Sequence, residues 1–178
     1  MNNRTLSDLD RTDREILRQL QFDARVANAE LAKRIHLSPT PTLERVKRLE
    51  REGFIAKYAA VLSAAKMEAS LIAFVEVSLD RTTEDILQKF ATAVRETGEI
   101  VECNMLAGGF DYLLKVRVKD MASYRQFLGY QLSELPGIRA THSYMVMETV
   151  KDASEIPIPN LPTGTTRSER TRHSRNKA

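Results

Sequence analysis

Residues 28–53 constrain the fold more than any other stretch, because they encode two short amphipathic helices separated by a tight turn. The second helix is predicted to begin at Ser38-Pro39-Thr40-Pro41, since Ser is a good N-cap and Pro suits a first helical turn. Leu43, Val46 and Leu49 share one flank of this helix on a 3.6-residue wheel, and that flank must be packed.

The opposite face of this second helix is polar and basic. It carries Thr40, Pro41, Glu44, Arg48 and Arg51, with Arg45 beside them. An isolated basic helix usually only presents its charges to solvent. Here a capped, hydroxyl-rich start follows a short helix and a tight turn, which is typical of a helix that reads the major groove of DNA. The sequence therefore predicts a DNA-recognition helix.

An earlier helix completes a three-helix unit. Residues 13–22 have an apolar stripe with Asp10 as the predicted cap, and Asn28 is the predicted cap of the next helix. Gly53 is expected to end the recognition helix, after which residues 54–58 resemble the start of a strand or wing. The inward-facing residues of the first two helices are Ile16, Leu17, Leu20, Leu31, Ala32 and Ile35. We predict a helix-turn-helix domain, winged-helix-like, over residues 1–58, and a linker over 59–68.

His36 lies in the turn between the two helices of residues 28–53. Such corners favour glycine because φ is often positive there, and a residue with a Cβ incurs a strain of roughly 1 kcal/mol. We interpret His36 as a tolerated turn residue, and neither as a ligand nor as a catalyst.

The middle of the chain alternates strands and helices in the order βαββαβ. The first strand is predicted over residues 71–79, and the helix that follows begins at Thr82 or Thr83 and ends at Gly98. Two strands, 100–107 and 111–119, flank Gly108-Gly109. Asp120 caps the second helix, which Pro136-Gly137 ends, and residues 138–150 form the last strand. This order predicts an α+β, ferredoxin-like domain over residues 69–151. Both helices lie on one side of its antiparallel sheet, so we expect self-association through the other face, at least into a dimer.

Charge is distributed unevenly along the chain. Residues 1–58 hold 12 Lys and Arg against 9 Asp and Glu, residues 59–150 hold 9 against 12, and residues 151–178 hold 6 against 3. A basic front and a basic tail around an acidic middle favour nucleic-acid contact at the front. The amino terminus lacks an apolar signal segment and no run reaches membrane-spanning length, so we expect a cytoplasmic protein that binds no membrane.

The residues that carry chemistry in other proteins are sparse in this chain. The three His are scattered without ligand spacing, and the single Cys103 is interpreted as a small buried apolar residue. Gly108-Gly109 lacks the Lys-Ser/Thr or helix start of a nucleotide-binding loop. We therefore expect no metal, no cofactor and no enzymatic activity.

Residues 104–112 place two glycines between strands, next to an acid and an aromatic ring. One interpretation is a hairpin turn in which Asp111 bonds nearby amides. The other is a cradle for a small molecule: exposed amides at Gly108 and Gly109 would hold a carboxylate and Asp111 an ammonium group, which suits a free amino acid. The residues alone favour neither interpretation strongly.

Both halves of the sequence resemble the Lrp/AsnC family. The segments that carry the resemblance are LDRTDREIL (9–17), LSPTPTLERVKRLEREGFI (37–55), ECNMLAGGFDYLLKVRV (102–118), DMASYRQFLG (120–129) and LPGIRATHSYMVMETVK (135–151). The combination of SPTP-x-LERVKRLE with GGFDYLLK is far more specific than either motif alone. Departures from the family pattern are His36 in place of a turn glycine, Thr42 where Cys is frequent, and Gly109 where an acid is frequent.

The resemblance implies a bacterial or archaeal transcriptional regulator that binds double-stranded DNA and a free amino acid. The DNA contacts that it implies are Ser38, Pro39, Thr40, Pro41, Thr42, Arg45, Lys47 and Arg48. The effector contacts that it implies are Met105, Ala107, Gly108, Gly109, Asp111, Tyr112, Met121, Tyr144, Met145 and Val146. Paired sheets would form a homodimer, and dimers would assemble into rings such as octamers, with the effector bound between neighbouring domains.

The expected effector is leucine or another apolar amino acid. The alternatives are a proline-responsive activator of proline catabolism and an architectural DNA-binding protein without a ligand. An enzyme that only senses an amino acid would need a catalytic domain, and no stretch remains to form one. The tail, residues 152–178, is rich in Pro and then in Ser, Thr and Arg, and we expect it to be disordered, either dispensable or a basic arm for phosphates.

Overall fold

The computed structural model describes residues 4–153 and 155–160. They divide into two units. One unit comprises the described residues up to Ala60 together with those from Ala153 onward, and the other is Val61–Asp152. Each unit has its own apolar core.

The first unit is built from three helices: α1 (Arg11–Phe22), α2 (Asn28–Arg34) and α3 (Pro39–Arg51). A short 3-10 turn, Leu6–Asp8, precedes them. Asp10 caps α1 as predicted, since its carboxylate accepts a hydrogen bond from the Asp13 N–H at 2.8 Å. The core of the unit consists of Leu9, Ile16, Leu17, Leu31, Ile35 and Leu49. The three-helix prediction is confirmed, but Leu43, expected on the packed flank of α3, is exposed.

The turn between α2 and α3 has the predicted strained residue. His36 has a φ of 57°. Its N–H donates to the Lys33 carbonyl and the next N–H donates to the Ala32 carbonyl, which closes α2 in the manner of a Schellman motif.

Two predicted caps in this region are wrong in detail. Asn28 is the first residue of α2 and does not cap it; its amide group donates instead to the Pro39 carbonyl at 2.8 Å and ties α2 to α3. Ser38 occupies the N-cap position of α3, but its side chain makes no capping hydrogen bond. The backbone carbonyl of Ser38 instead accepts a hydrogen bond from the Thr42 hydroxyl.

Gly53 ends α3 as expected, with a φ of 81° and a Schellman pair of hydrogen bonds from Gly53 and Phe54 to Glu50 and Leu49. Residues 54–70, all of which the structure describes, form no strand. Phe54 and Ile55 instead pack against the core of the first unit.

The second unit has the predicted βαββαβ order. Its elements are β1 (Leu71–Leu79), α4 (Glu84–Glu96), β2 (Ile100–Met105), β3 (Tyr112–Val118), α5 (Met121–Gln126) and β4 (Ile138–Met145). The sheet order is β2-β3-β1-β4 and every neighbouring pair is antiparallel. This is the ferredoxin-like arrangement, so the fold expected for this part is confirmed.

The two faces of the sheet differ in composition. The residues that face the helices are those predicted from the alternation of β3, with the corresponding set on β1: Ala73, Val75, Val77, Leu79, Tyr112, Leu114, Val116 and Val118, all buried. The ring of Phe90 on α4 lies 4.6 Å from that of Tyr112, centroid to centroid. The core of the second unit therefore lies between the sheet and its helices.

Three elements are shorter than expected. β2 ends at Met105 and β4 ends at Met145, two and five residues before the predicted ends, although the Val146 N–H still donates to the Ile72 carbonyl of β1. After six residues α5 passes into a π-helical turn, Phe127–Gln131, and then a 3-10 turn, Leu132–Glu134. This irregular path still buries Phe127 and Leu132 against the sheet.

Part of the predicted disordered tail is packed, which corrects that expectation. Residues 155–160 lie along α1 of the first unit. Residues 161–178, which contain the Arg-rich part, lie outside the described residues.

Gly137 is required by both its conformation and its surroundings. It has a φ of 79°, and an added Cβ would lie 2.7 Å from Cγ2 of Ile86. We expect Gly137→Ala to lower the free energy of unfolding by roughly 2–4 kcal/mol, the sum of a left-handed Ala and an overpacked side chain. Denaturant unfolding of the full chain measures it. Gly98→Ala, where an added Cβ meets nothing within 4 Å, is the control; equal destabilisation of the two variants would contradict the assignment.

Candidate nucleic-acid interface and ligand site

The amino-terminal end of α3 is the exposed end of the predicted recognition helix. Ser38, Pro39 and Thr40 are exposed, Pro41 is half-buried, and the first turn contains no acidic residue. The first backbone N–H groups of a helix have no partners within the helix and attract anions. This end of α3 is therefore suited to contact a phosphate backbone.

Thr42 is fully buried, which corrects the expectation that its side chain contacts DNA. Its hydroxyl donates to the Ser38 carbonyl at 2.9 Å. The pattern placed Thr42 near the exposed start of the helix, but only the packing of α3 on the other two helices shows that it points inward.

Arg45 and Arg48 are held by α1. The carboxylate of Asp13, only 3% exposed, accepts from Nη1 of Arg45 at 2.7 Å and from Nη2 of Arg48 at 2.6 Å. Arg45 Nη1 also donates to Asp10 at 2.7 Å. We call these four residues the arginine clamp. It joins α1 to α3 by charge-assisted hydrogen bonds, which are about twice as strong as neutral ones.

The arginine clamp leaves the two guanidinium groups partly accessible. The side chains of Arg45 and Arg48 are 29% and 32% exposed. Their charges are balanced by those of Asp10 and Asp13, so they add little net positive charge to the surface. Lys47 and Arg51 are exposed and form no ion pair with another residue that the structure describes.

The clamp shifts the pKa of two of its members. Burial raises the pKa of Asp10, but hydrogen bonds from the Asp13 N–H and from Arg45 outweigh it, so the pKa lies below its ordinary value of 3.8. The hydrogen bonds from Arg45 to Asp10 and Asp13 raise the pKa of the Arg45 guanidinium. Each group is thus stabilised in its charged form.

The lowered pKa of Asp10 predicts an acid-sensitive contribution to stability. Its stabilising effect is complete well above 3.8, about pH 5 and higher, and is lost as the pH falls through the lowered folded-state pKa. Asp10→Asn keeps a capping oxygen and removes the charge. We expect wild type to exceed this variant in unfolding free energy by at most about 1 kcal/mol near neutrality, as for exposed ion pairs. Denaturant unfolding between pH 7 and 3 should show this difference shrinking below about pH 4; a constant difference would contradict it.

Asp111 fastens the β2–β3 hairpin to the end of β1. Its carboxylate accepts from the Leu79 N–H at 2.7 Å, and its own N–H donates to the Val77 carbonyl at 2.9 Å. Its carbonyl accepts from Leu106 across the hairpin. The interpretation in which Asp111 bonds nearby amides is wrong in that detail, because the amide that its carboxylate accepts from belongs to β1, 32 residues earlier in the sequence.

The glycines of this hairpin are open to solvent. Ala107, Gly108 and Gly109 are exposed, and an added Cβ at either glycine would meet nothing within 4 Å. Neither glycine has a positive φ. Within the described part of the chain, therefore, neither backbone strain nor packing explains why these two positions are glycine.

The predicted effector residues fall into two groups at opposite ends of the sheet. The first, the hairpin group, comprises Met105, Tyr112 and the predicted residues between them; Met105 and Tyr112 pair with each other at one end, where Tyr112 lies opposite Val77. Met145 lies opposite Ala73, four residues earlier along β1, which corresponds to about 13 Å. Met121, Tyr144 and Val146 lie at this end with Met145, and we call these four residues the Met145 group. One chain therefore does not bring the whole predicted set together.

Most of the predicted effector residues in both groups are exposed, and Tyr112 is the buried exception. Met105, Met121, Tyr144 and Met145 are exposed and Val146 is half-buried. Tyr112 is buried in the core of the second unit, where its ring packs against Phe90. Its side chain therefore stabilises the fold and is not exposed for an effector contact. Beside Met105 a cavity of about 420 Å³ opens between α4 and β2, with Arg95 on its wall.

The described residues contain no cluster of three or more His, Cys, Asp or Glu side chains that could hold a metal ion. Cys103 is half-buried against the core of the second unit, and burial raises the pKa of its thiol. Among the described helices, none has both the length and the apolar character needed to cross a membrane.

Both units match known protein families. Residues 9–56 match the winged helix-turn-helix DNA-binding family, and residues 72–156 match the Lrp/AsnC ligand binding domain. The chain belongs to the Lrp/AsnC family. It is 53% identical over 151 residues to the leucine-responsive regulatory protein of Escherichia coli K12, a span of 85% of this chain and 92% of that protein.

Solved structures show the same family and fold. A transcriptional regulator from Neisseria meningitidis, solved as a complex with L-Met, is 37% identical, with a TM-score of 0.81 over 84% of this chain and 97% of that one. An AsnC family regulator from Agrobacterium tumefaciens is 36% identical, with the same TM-score and coverage. This member of the family is therefore a transcriptional regulator, with a DNA-binding unit and a ligand-binding unit, and not an enzyme.

Sequence reasoning missed the arginine clamp and the packed segment 155–160. The signal for the clamp was present, since Asp10 and Asp13 are spaced three residues apart at the start of α1, facing the basic helix. Nothing in the composition of residues 155–160 indicated that α1 binds them.

Proposed function

We propose that this regulator responds to leucine or another apolar amino acid. The observation that carries this proposal is 53% identity to the E. coli leucine-responsive regulatory protein over nearly all of that protein's length. The L-Met complex of the Neisseria regulator supports an apolar effector for this fold. The exposed glycine hairpin offers free backbone amides beside a carboxylate, which suits the two charged groups of an amino acid.

The DNA contacts that we propose are the exposed start of α3, Ser38 to Pro41, and the basic side chains of Arg45, Lys47 and Arg48. Lys47 is exposed and suits a phosphate contact, since a flexible ammonium carries little base information. Arg45 and Arg48 present guanidinium edges that Asp13 holds in place, and a fixed guanidinium fork is what bidentate base contacts need.

Replacing Arg45 and Arg48 tests this interface, but it would leave Asp13 buried without its partners, which costs about 3–5 kcal/mol. The sharper design adds Asp13→Asn to both Arg→Ala changes and uses Asp13→Asn alone as the matched control. Binding is measured by fluorescence anisotropy on a fragment selected by the wild-type chain from a random DNA pool.

We expect the triple variant to bind roughly 10- to 100-fold more weakly than the control, as expected when arginines no longer bond to bases. Its log–log salt slope should fall by up to about 2, at about 0.9 for each phosphate that is no longer neutralised. If Asp13→Asn binds DNA as tightly as wild type, equal affinity and slope in the control and the triple variant would show that these arginines do not contact DNA; weaker binding by Asp13→Asn itself would show that the clamp is needed for the contact.

We further propose that the effector site is completed between chains. The hairpin group and the Met145 group lie at least about 13 Å apart in one chain, and a single amino acid is much shorter. The sheet face opposite the helices, with Tyr144, would pair in a homodimer, and dimers would assemble into a ring such as an octamer. This assembly would bring the two groups together from neighbouring chains.

Asp111→Asn tests the hairpin part of the site without breaking the fold, because an amide oxygen still accepts from Leu79. We expect affinity for the effector to fall about 10- to 100-fold, as for removal of a charged hydrogen bond. Calorimetry of the wild-type chain against the twenty amino acids, proline included, identifies the effector. Light scattering with and without that amino acid gives the mass of the oligomer that each protein forms. Asp80→Asn, an exposed acid at the same end of β1, is the control. Unchanged affinity in Asp111→Asn would assign Asp111 to the fold alone.

A further inference from the structure

Residues 155–160 form a segment that is neither helix nor strand, with the sequence Glu-Ile-Pro-Ile-Pro-Asn, which lies along α1. Its backbone makes several hydrogen bonds to α1 and none that belong to a helix or strand of its own. We call this segment the strap. The hydrogen bonds that it makes with α1 lie within the first unit.

Three long polar side chains on α1 hold the strap. Gln21 makes a two-way pair with the backbone of Ile156: its Oε1 accepts from the Ile156 N–H at 2.7 Å and its Nε2 donates to the Ile156 carbonyl at 3.2 Å. Arg18 Nη2 donates to the Ile158 carbonyl at 2.9 Å, and Arg14 Nη1 donates to the Pro159 carbonyl at 3.0 Å. Residues 14, 18 and 21 lie on one helical face, so α1 presents a continuous docking stripe.

The strap is suited to this stripe by its own chemistry. Pro157 and Pro159 have restricted φ and no N–H, so ordering the strap on α1 costs less conformational entropy and leaves fewer donors to satisfy. Ile158 packs against the core of the first unit, whereas Ile156 is 73% exposed. Asn160 adds a contact, accepting from Arg18 at 2.7 Å. One apolar anchor and several backbone contacts make a specific peptide interaction.

The strap follows directly on the end of the second unit. Asp152 is the last residue of that unit, and its carboxylate lies 3.4 Å from Nη2 of Arg117 on β3. Only three residues separate Asp152 from Ile156, which Gln21 holds on α1. The docked strap is therefore a second, short connection between the units, in addition to the chain at Ala60 and Val61.

On α1 the strap contacts are adjacent to the arginine clamp. Asp13, which holds Arg45 and Arg48, is next in sequence to Arg14, which holds the strap. A displacement of the strap would act on the helix that positions the recognition-helix arginines.

We propose that the strap couples the amino-acid-binding unit to the DNA-binding unit: docked on α1, it carries the effector-dependent change to the arginine clamp. This inference rests on the proposed amino-acid response. Its physical content is a coupling between two binding equilibria, and such couplings usually change affinity by roughly 5- to 150-fold. Undocking of the strap removes that coupling and leaves each binding site intact.

The test compares Ile158→Asp, which places a charge at the packed position, with Ile156→Asp, the same change at an exposed position of the same segment. Both are made in the full chain. Effector binding is measured by calorimetry with leucine and methionine, and DNA affinity by anisotropy with and without the effector. Hydrogen exchange of the peptide containing Ile156 reports docking, because its N–H is bonded to Gln21.

We expect Ile158→Asp to lose exchange protection at Ile156, to bind the effector within about 2-fold of wild type, and to reduce the effector-dependent change in DNA affinity to below about 2-fold. Ile156→Asp should retain that change. Arg18→Ala, with Arg11→Ala as its control on the exposed side of α1, tests the same contact from the helix and applies if Ile158→Asp does not fold.

Three outcomes separate this inference from the proposed function. A wild-type chain whose DNA affinity does not respond to any amino acid overturns both. A wild-type response that persists unchanged in Ile158→Asp and Arg18→Ala, with the strap shown to be undocked, overturns the strap alone. A response abolished equally in Ile156→Asp also overturns it, because docking would then not be the cause.

Discussion

The arrangement of the DNA-binding unit depends on one buried carboxylate. Asp13 is shared by Arg45 and Arg48, and it lies in a helix whose first turn is capped by Asp10. Charges removed from water are tolerated only when they are paired in good geometry, so α1 and α3 can pack only where these groups meet. The clamp therefore joins the two helices in one register and holds the side chains of Arg45 and Arg48, for which we propose DNA contacts, in one direction.

The second unit follows a different logic. Its sheet is specified by the alternation of apolar and polar residues along the strands and by two amphipathic helices that cover one face. The residues predicted to bind the effector lie at both ends of this sheet. In our proposal each end of the sheet carries half of the effector site, and association of neighbouring chains brings the two halves together. Ligand binding and oligomeric state would then be linked, since a ligand that contacts two chains stabilises their association. The strap would extend that linkage to DNA through α1.

Much of the fold was predictable because local pattern and global packing agree. The alternation of β3 and the capping by Asp10 and Asp120 depend on near neighbours in sequence, and the structure contains them as predicted. The failures depend on distant partners. The partner of Asn28 is the Pro39 carbonyl, and Thr42 is buried because α3 packs on the other helices. A helical wheel gives the direction in which a side chain points from its own helix, but it does not show which other helix or backbone group packs against that side chain.

The sequence by itself determined the two units, their element order, the family and the chemistry of the recognition helix, because these follow from periodicity, caps and motifs within short windows. Only the tertiary structure decided that Arg45 and Arg48 are clamped by acids remote in the sequence and that residues 155–160 dock on α1. It also decided that the predicted effector residues lie at two ends of one sheet. The physical reason is that ion pairs, docking and strand register join residues far apart along the chain, and no local pattern encodes which distant partner is chosen.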